Sequence, residues 1–465
     1  MKNKRINPRK RIKSLVGTIW NFLGTKRAWY LVIALFVVQA LFLVAVTRFG
    51  TPPDETNHIR FIEYYAEHSL DPVFTGQEPT LNLGDKTREV DYLYHYVMSF
   101  VLRILPGSDQ IAFYVIRVFS VLFGALTLLT LTRVFLRLKV PSRAITVSLL
   151  LASNLAMVLM MSSAVNNDTL VWLGMATGLL LLLRLWERVR VMDLLWLSTI
   201  IVYGGLVKRT LLPFSLVFGV FGLVVLLRHL KAARQDLRQW NWRMVLLGLV
   251  VLLGIGLFTE RVGGNIIQYG HITVKCEEVH GEAACYNFWA NIRARDIAKR
   301  APEQVIPLPV FAVRWVNESV TNIFDIQTQG WRHEVKPPAW LSPFAIGLLA
   351  IAGTYGALYE SRRFRSDSLS RWRSIVALIA LFFIAVHFAY NYNEYRHLHV
   401  WGLALNGRYI IPGLLPLIGL AAFYWSELLG RHLKLKVTFA LLMIVLTVLL
   451  SGLFLLLQNP QLRTG

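Results

Sequence analysis

The stretch that decides the fold is WYLVIALFVVQALFLVAV, residues 29–46, which contains no charged side chain. As an α-helix, a run of about 20 apolar residues is long enough to cross a hydrocarbon core about 30 Å thick. The run is longer than the roughly 7–15 apolar residues of a secretory signal, and no small-x-small cleavage site follows it. We therefore predict an uncleaved first transmembrane helix.

The rest of the chain repeats this pattern. Of its 465 residues, 55% are hydrophobic and only 16% are charged, which is less charge than a soluble protein carries. Apolar runs separated by short basic segments predict an all-α, polytopic transmembrane helical bundle of about eleven helices. The predicted spans lie near residues 29–48, 111–133, 142–161, 169–185, 192–207, 210–228, 243–259, 341–358, 374–390, 409–427 and 436–457.

The charges are distributed as a membrane topology requires. The formal net charge is +22, and nine Lys and Arg lie within the first 27 residues, while others cluster in joints between spans. Cytoplasmic loops concentrate Lys and Arg, so the N-terminus is predicted to be cytoplasmic and the C-terminus outside. Anionic lipid headgroups are a sufficient partner for this charge. We expect a multi-pass protein of the cytoplasmic (inner) membrane in contact with the lipid bilayer, and no nucleic-acid partner, because no nucleic-acid-binding motif is present.

This topology divides the chain into five segments. They are a basic cytoplasmic N-terminus (1–28), helices one to seven (29–259) with an extracytoplasmic loop at 49–110, a second large extracytoplasmic loop (260–340), helices eight to eleven (341–457) and a short extracytoplasmic tail (458–465). Both large loops are expected to contain short helices, and the apolar spacing predicts an amphipathic one over residues 57–68.

The second loop holds the only two cysteines, Cys276 and Cys285. If the topology is right, both lie on the oxidising side of the membrane, where a disulfide forms readily. A local disulfide is therefore expected, with two unpaired thiols as the alternative.

Directly after the first span comes TPPDETNH, residues 51–58. Two prolines stiffen the chain, and Asp54, Glu55 and His58 follow within five residues. A carboxylate at the membrane face can act as a general base or bind a divalent cation through oxygen. The alternative is an acidic helix start, where carboxylates interact favourably with the helix dipole.

Three other polar motifs interrupt the apolar pattern on the predicted outer side. They are the turn with Asn167 and Asp168, the pair Lys208-Arg209 after the fifth span, and Arg408-Tyr409 at the entry to the tenth. Taken singly, they are typical of a polar turn, of side chains reaching lipid headgroups and of an interfacial anchor. Topology nevertheless predicts that all three lie at the same membrane face as Asp54, where cations could bind a phosphate.

Motifs of several other enzyme classes are missing. The sequence contains no Gly-x-x-x-x-Gly-Lys, no His-Glu-x-x-His and no Gly-x-Ser-x-Gly. ATP hydrolysis, zinc proteolysis and serine hydrolysis therefore have no support.

Taken together, the four motifs resemble those of the GT-C superfamily, polytopic glycosyltransferases that use polyprenyl-phosphate sugars. The resemblance is strongest to a bacterial group of predicted membrane proteins within it, which is marked by a Pro-x-Asp-Glu-x-x-x-His stretch. Here the stretch reads Pro52-Pro53-Asp54-Glu55-Thr56-Asn57-His58, with two residues rather than three between Glu55 and His58. It implies a GT-C-like fold and inverting transfer of a sugar from a polyprenyl-phosphate donor to a glycan, lipid or protein acceptor outside the cytoplasmic membrane.

The resemblance also implies roles for individual residues. Asp54 would be the general base, with Glu55 and His58 orienting it; Asp54 and Glu55 are also the candidate ligands of a divalent cation (Mg or Mn), if one is used. The cations of Lys208, Arg209 and Arg408, with Tyr409 beside them, would neutralise the donor phosphate. Asn167 and Asp168 would support this arrangement.

Two other functions are compatible with the sequence. A lipid-linked glycan ligase or polymerase would use the second large loop, which offers His271, His280, Arg293, Arg295 and Arg332. A transporter or flippase of lipid-linked sugars would carry intramembrane charges and repeated, broken helices, whereas here most charges lie at helix ends.

Overall fold

In the computed structural model, the apolar run at residues 29–46 lies in helix α1, Lys26–Val46. The Thr25 side chain caps this helix by accepting a hydrogen bond from the backbone N–H of Ala28. The structure describes residues 17–68, 88, 90–105, 109–239, 241–286, 289–299, 305–327, 333–335, 338–401, 405–430 and 432–449.

The chain is almost entirely helical over these residues. After α1 come α2 Glu55–His68, α3 Leu93–Ile104, α4 Asp109–Arg137, α5 Ser142–Asn154, α6 Ala156–Ser162, α7 Asp168–Glu187, α8 Val191–Val207, α9 Leu212–Arg228, α10 Leu230–Leu237, α11 Trp242–Phe258, α12 Gly264–Tyr269, α13 Cys276–His280, α14 Glu282–Cys285, α15 Trp289–Ala298, α16 Leu308–Phe324, α17 Leu341–Ser361, α18 Ser368–Leu398, α19 Ile411–Leu428 and α20 Leu433–Leu449. A 3-10 turn at Arg209–Leu211 leads into α9, a π-turn at Thr259–Gly263 joins α11 to α12, and a 3-10 turn at Gly407–Ile410 leads into α19. The only described strands, β1 Ile326–Gln327 and β2 His333–Val335, pair antiparallel, with Ile326 opposite Val335.

The multi-pass, all-α prediction is confirmed. Among the described residues, eight helices are long and apolar enough to cross a membrane, and nine are if the bent pair α5–α6 is one span. Helix α8 coincides with a predicted span but has only 17 residues, which is about 26 Å at 1.5 Å per residue. The predicted span 436–457 is described as far as residue 449, and the predicted tail 458–465 and residues 1–16 lie outside the described residues.

The predicted span 142–161 is not one straight helix. It bends by 67° between α5 and α6, where Leu155 has an extended backbone with ψ 127°. The Asn154 side chain donates to the carbonyl of Leu150, within the last turn of α5. All seven residues of α6 are buried, so this short helix lies inside the bundle and ends beside the turn that leads to α7.

Helices α7 and α19 form the centre of the bundle. Of an apolar stretch of 18 residues in each of these two spans, 67% of the residues are buried, against 22% in the span Trp242–Tyr269. Glycines allow the close approach: a Cβ at Gly178 of α7 would lie 2.2 Å from Phe218, and one at Gly419 of α19 would lie 2.0 Å from Phe135. These two helices therefore give rigid support to the segments at their N-terminal ends.

A buried ion pair stabilises the other end of the bundle. Arg373, near the start of α18, donates to Glu360 of α17 at 2.5 Å, and Tyr424 of α19 donates to the same carboxylate at 3.1 Å. Arg373 also donates to the carbonyl of Leu138 after α4, at 3.3 Å. Both charged side chains are only 5% exposed, so each is neutralised by the other and not by water. Their contacts link α17, α18, α19 and the end of α4.

The large loops contain helices, as predicted. The amphipathic helix expected at 57–68 is α2, which begins two residues earlier and buries Ile62, Tyr64 and Tyr65. It packs on α3, which the sequence analysis did not identify. In the second loop, Cys276 and Cys285 are joined by a disulfide, with their Cα atoms 5.8 Å apart.

Candidate functional site

Four charged side chains from distant parts of the chain lie in line at one end of the bundle. Lys208 Nζ is 2.5 Å from Asp168 Oδ1, Asp168 Oδ2 is 3.8 Å from Arg408 Nε, and Arg408 Nη2 donates to Asp54 Oδ2. We name this set Lys208–Asp168–Arg408–Asp54 the ion-pair chain. Asp168 and Arg408 are buried, at 3% and 2% side-chain exposure, whereas Asp54 is 35% exposed. The chain of charges thus runs from the protein interior to an accessible carboxylate.

Asp54 lies in an unusual backbone conformation. Its φ is +61°, in the left-handed region that Asp tolerates better than most residues. The preceding Pro53 is buried, and its carbonyl accepts a hydrogen bond from Arg408 Nη1 at 3.4 Å. Burial raises the pKa of Asp54, but the neighbouring positive charge of Arg408, with a smaller effect from Lys208, lowers it by more, so the pKa lies below its ordinary value. Asp54 is therefore ionised at neutral pH.

The side chain of the adjacent Glu55 pairs with a different cation, Arg117. Its fully buried carboxylate accepts four hydrogen bonds: from Arg117 Nε (2.8 Å) and Nη2 (2.7 Å), and from the backbone N–H groups of Gly50 (2.9 Å) and Val165 (2.8 Å). The sequence analysis missed Arg117. Its signal was a single Arg inside an apolar span, which membrane proteins retain only when the charge is paired or functional.

Arg117 also donates hydrogen bonds to backbone carbonyls at the end of α1. It donates to the carbonyls of Val44 (3.2 Å), Thr47 (2.8 Å) and Arg48 (3.3 Å). The Glu55–Arg117 pair thus ties the end of α1, the start of α2 and the turn before α7 to α4. It holds the segment that carries Asp54.

The residues do not fit the divalent-cation site considered from the sequence. Both oxygens of Glu55 are occupied by donors, and Asp54 lies against a guanidinium. Among the described residues, no group of three or more His, Cys, Asp or Glu side chains could hold a metal ion. We assign no step to a metal.

The turn before α7 positions both Asp168 and Lys208. Asn166 Oδ1 accepts from the backbone N–H of Asp168 at 2.8 Å, and its Nδ2 donates to the carbonyls of Met161 and Ala164. Asn167 Nδ2 donates to the carbonyl of Val207 at 2.9 Å, immediately before Lys208. The turn thus connects Asp168 with the segment that carries Lys208; a supporting role of Asn167 and Asp168 in function stays a prediction.

The segment before α19 positions Arg408. Asn406 caps it by accepting from the Arg408 N–H at 3.1 Å, and a Cβ at Gly407 would lie 2.6 Å from the carbonyl of Ser319 on α16. Only glycine allows this approach. Tyr409 accepts a hydrogen bond from Arg408 Nη2 at 2.9 Å, and its ring lies 5.2 Å from Lys208 Nζ. Tyr409 therefore contacts both cations.

His58 lies next to this site and contacts a residue that the sequence analysis missed. His58 Nδ1 is 2.8 Å from His95 Nε2 of α3, and the rings are within 16° of parallel with centroids 5.1 Å apart. The short N–N distance means that the imidazoles meet edge to edge through a hydrogen bond. Burial lowers the pKa of His58 to about 3, so it is neutral at physiological pH.

Arg209 is not part of the ion-pair chain. Its guanidinium is 40% exposed and lies 3.6 Å from Asp91 and 3.3 Å from Thr273 of the second loop. The backbone turns sharply after Lys208 into the 3-10 turn, which separates the directions of the two neighbouring side chains.

The second loop contributes no charge to the ion-pair chain in the described residues. His271 pairs with Glu278 at 2.9 Å, and Arg295 lies over the ring of Tyr286 at 3.9 Å. Arg332 and the side chains of His280 and Arg293 lie outside what the structure describes.

Comparisons with known proteins identify no family. No protein-family model and no curated protein sequence matches the chain. Among solved structures, it is similar to the oligosaccharyltransferase of Archaeoglobus fulgidus in the apo form, at 13% identity and a TM-score of 0.48, over 95% of this chain and 57% of that one. The same enzyme tethered to an acceptor peptide containing the NVT sequon gives 13% identity and 0.47, over 93% and 55%.

A complex of the same archaeal enzyme with an inhibitory peptide and a dolichol-phosphate gives 12% identity and a TM-score of 0.46, over 94% of this chain and 56% of that one. The chain thus spans little more than half the length of these structures. With TM-scores below 0.5, we draw no residue assignment and no activity from them.

Proposed function

We propose that this protein is a membrane glycosyltransferase that moves a sugar from a polyprenyl-phosphate donor to an acceptor hydroxyl, with inversion, and that Asp54 is the general base. The observation that carries the proposal is the ion-pair chain, in which an accessible carboxylate, Asp54, contacts the guanidinium of Arg408 and Lys208 lies at the other end of the same row of charges. The charges and the exposure of these residues support this proposal.

The cations suit a phosphate leaving group. Arg408 and Lys208 lie 2% and 11% exposed, so their charges act in a medium of low dielectric constant. A polyprenyl-phosphate sugar carries one negative charge, and more charge develops on the phosphate as the bond to the sugar breaks. Fixed cations stabilise this developing charge more strongly than water does.

The base is in the correct state before the reaction. The lowered pKa of Asp54 leaves it ionised at neutral pH, and its 35% exposure leaves an oxygen accessible to an acceptor. The acceptor oxygen attacks the anomeric carbon as the carbon–phosphate oxygen bond breaks, and Asp54 receives the hydroxyl proton.

The same ion pair couples the donor to the base. Arg408 donates a hydrogen bond to Asp54, so a donor phosphate that binds this guanidinium competes with Asp54 for it. Once the phosphate takes its place, Asp54 loses the partner that most depresses its pKa and becomes a stronger base. Asp168, buried between Lys208 and Arg408, is the fixed counter-ion in both states.

The exposure of the carboxylates favours inversion over retention. Retention would require a second carboxylate that attacks the sugar. Asp168 is 3% exposed and bound to Lys208, and Glu55 is fully buried against Arg117. Asp54 is thus the one accessible carboxylate of the two acidic motifs, which is what a single-displacement reaction needs.

Sidedness remains part of the proposal. The clustering of basic residues in alternate joints favours a cytoplasmic N-terminus, with Asp54 on the outer side of a cytoplasmic membrane. The acceptor is a glycan, lipid or protein on that side.

The proposal is tested by the lipid-linked sugars of cells that lack this protein. Mass spectrometry of extracted lipids should show accumulation of an unused polyprenyl-phosphate sugar, and the wild-type chain should reverse it. Asp54→Asn should insert normally and fail to reverse it. Glu67→Gln, which changes an exposed acid of α2 outside the ion-pair chain, should behave as wild type. Reversal by Asp54→Asn would refute the proposal.

A further inference from the structure

The end of the bundle opposite Asp54 contains a polar cavity of about 620 Å³. It is bordered by residues 20–24, by the start of α5, by the end of α19 and by the start of α20. Its charged side chains are Arg143, Glu427 and Lys436. Arg143 is held in place, because its Nε donates to the carbonyl of Trp20 at 3.0 Å and its guanidinium lies 4.8 Å from the Trp20 ring centroid.

A second cavity of about 150 Å³ is almost wholly apolar and is lined by the same three helices together with α16 and α17. Helix α20 borders both cavities: Lys436 borders the polar cavity, and Phe439, Met443 and Leu446 line the apolar one. Spacings of three and four residues put these side chains on one face of the helix.

Helices α5 and α19 follow the same order. On α5, Arg143 precedes Val147 and Leu151 at intervals of four, and on α19, Ser426 borders the polar cavity while Ala422 and Ile418 line the apolar one. The two cavities therefore lie along one groove that is polar at one end and apolar along its length. Such a groove matches a molecule with a polar headgroup and an apolar chain.

We propose that this groove binds one anionic phospholipid of the leaflet at the N-terminal end of α5. The headgroup occupies the polar cavity, and an acyl chain lies along α19. The apolar section runs from Trp425 to Leu414, about 16 Å at 1.5 Å per residue, which is close to half of a hydrocarbon core about 30 Å thick. The groove is thus as long as one leaflet is deep.

The charges favour an anionic headgroup. Arg143 and Lys436 outnumber Glu427, which already accepts a hydrogen bond from Tyr359 at 3.2 Å. Basic pockets between transmembrane helices bind anionic lipid headgroups in this way.

Native mass spectrometry of the full-length protein in detergent tests this site, with phosphatidylglycerol, phosphatidylethanolamine and polyprenyl phosphate as separate probes. We expect one phosphatidylglycerol per chain, and affinity about fivefold weaker in Lys436→Gln, the effect of one interfacial cation. Lys434→Gln, an exposed lysine on the same helix, should bind as wild type. Ala422→Phe fills the groove and should abolish binding, whereas Val445→Phe, at a 51% exposed position, should not.

Equal binding of phosphatidylethanolamine, or phosphatidylglycerol binding that is unchanged in Lys436→Gln, would overturn the proposal. Displacement of phosphatidylglycerol by polyprenyl phosphate, with an affinity independent of Lys436, would assign the groove to the donor chain and overturn it as well. Neither result depends on the glycosyltransferase activity proposed above.

Discussion

Replacing Glu55 by Gln tests whether the pair with Arg117 holds the first loop in place. The carboxylate accepts four hydrogen bonds at 2.7–2.9 Å with no exposure. A glutamine offers one acceptor oxygen, and its NH₂ group would face donors, so at least one buried N–H loses its partner. Arg117 would also remain as a buried charge without a counter-ion. Removing one partner of such a pair costs about 3–5 kcal/mol.

The assay is thermal unfolding in detergent, followed by tryptophan fluorescence. We expect the Glu55→Gln midpoint to fall by roughly 3–5 °C. The matched control is Glu187→Gln, whose pair with Arg137 lies at the surface, at 54% and 34% exposure, and contributes less than about 1 kcal/mol. A Glu55→Gln protein that unfolds at the wild-type temperature would refute the anchoring role and return Glu55 to the candidates for direct chemistry.

Three further predictions address the site and its surroundings. Asp54→Asn should bind polyprenyl phosphate at least as tightly as wild type, because a competitor for the guanidinium is removed, while Lys208→Gln should weaken binding about tenfold in the same titration. The pKa of His58 is lowered to about 3, so between pH 6.5 and 3 the unfolded chain binds a proton that the folded chain does not. The free energy of unfolding should therefore fall as the pH drops from 7 to 5. This fall should be smaller in His58→Gln, which has no imidazole to protonate. Cys276 and Cys285 should react with a maleimide only after reduction, and an impermeant reductant should suffice in spheroplasts.

Each of these has a contrary result. Weaker polyprenyl-phosphate binding by the Asp54 variant would contradict the competition within the ion-pair chain. An identical pH dependence of the melting midpoint in wild type and His58→Gln would show that this imidazole does not titrate on unfolding. Labelling of the cysteines without reductant would contradict the disulfide, and a requirement for a permeant reductant would place the loop in the cytoplasm.

The spans and the meeting of the four polar motifs could be predicted from the sequence because both follow from one physical rule. Apolar segments cross the membrane and return, so polar residues at alternate joints come to the same face. This is why Asp54, Asp168, Lys208 and Arg408, separated by up to 354 residues, lie in one line of contacts.

Other parts of the site depend on tertiary packing and left little signal in the sequence. Arg117 appears there as one charge in an apolar run, and its partner Glu55 lies 62 residues away. Neighbouring positions also diverge, since Asp54 and Glu55 contact different arginines. His95 could not be linked to His58 because the helix that carries it, α3, was not predicted.

Transfer of a labelled sugar tests the central claim most directly. Donor lipid extracted from cells that lack the protein would be supplied, with a labelled sugar, to membranes that contain the wild-type chain or Asp54→Asn in equal amounts. We expect label to pass from the lipid to an acceptor with inverted anomeric configuration in the wild type, and at a rate about 10²–10⁴ times lower in Asp54→Asn, the range for loss of a general base. Transfer by Asp54→Asn at the wild-type rate would contradict it.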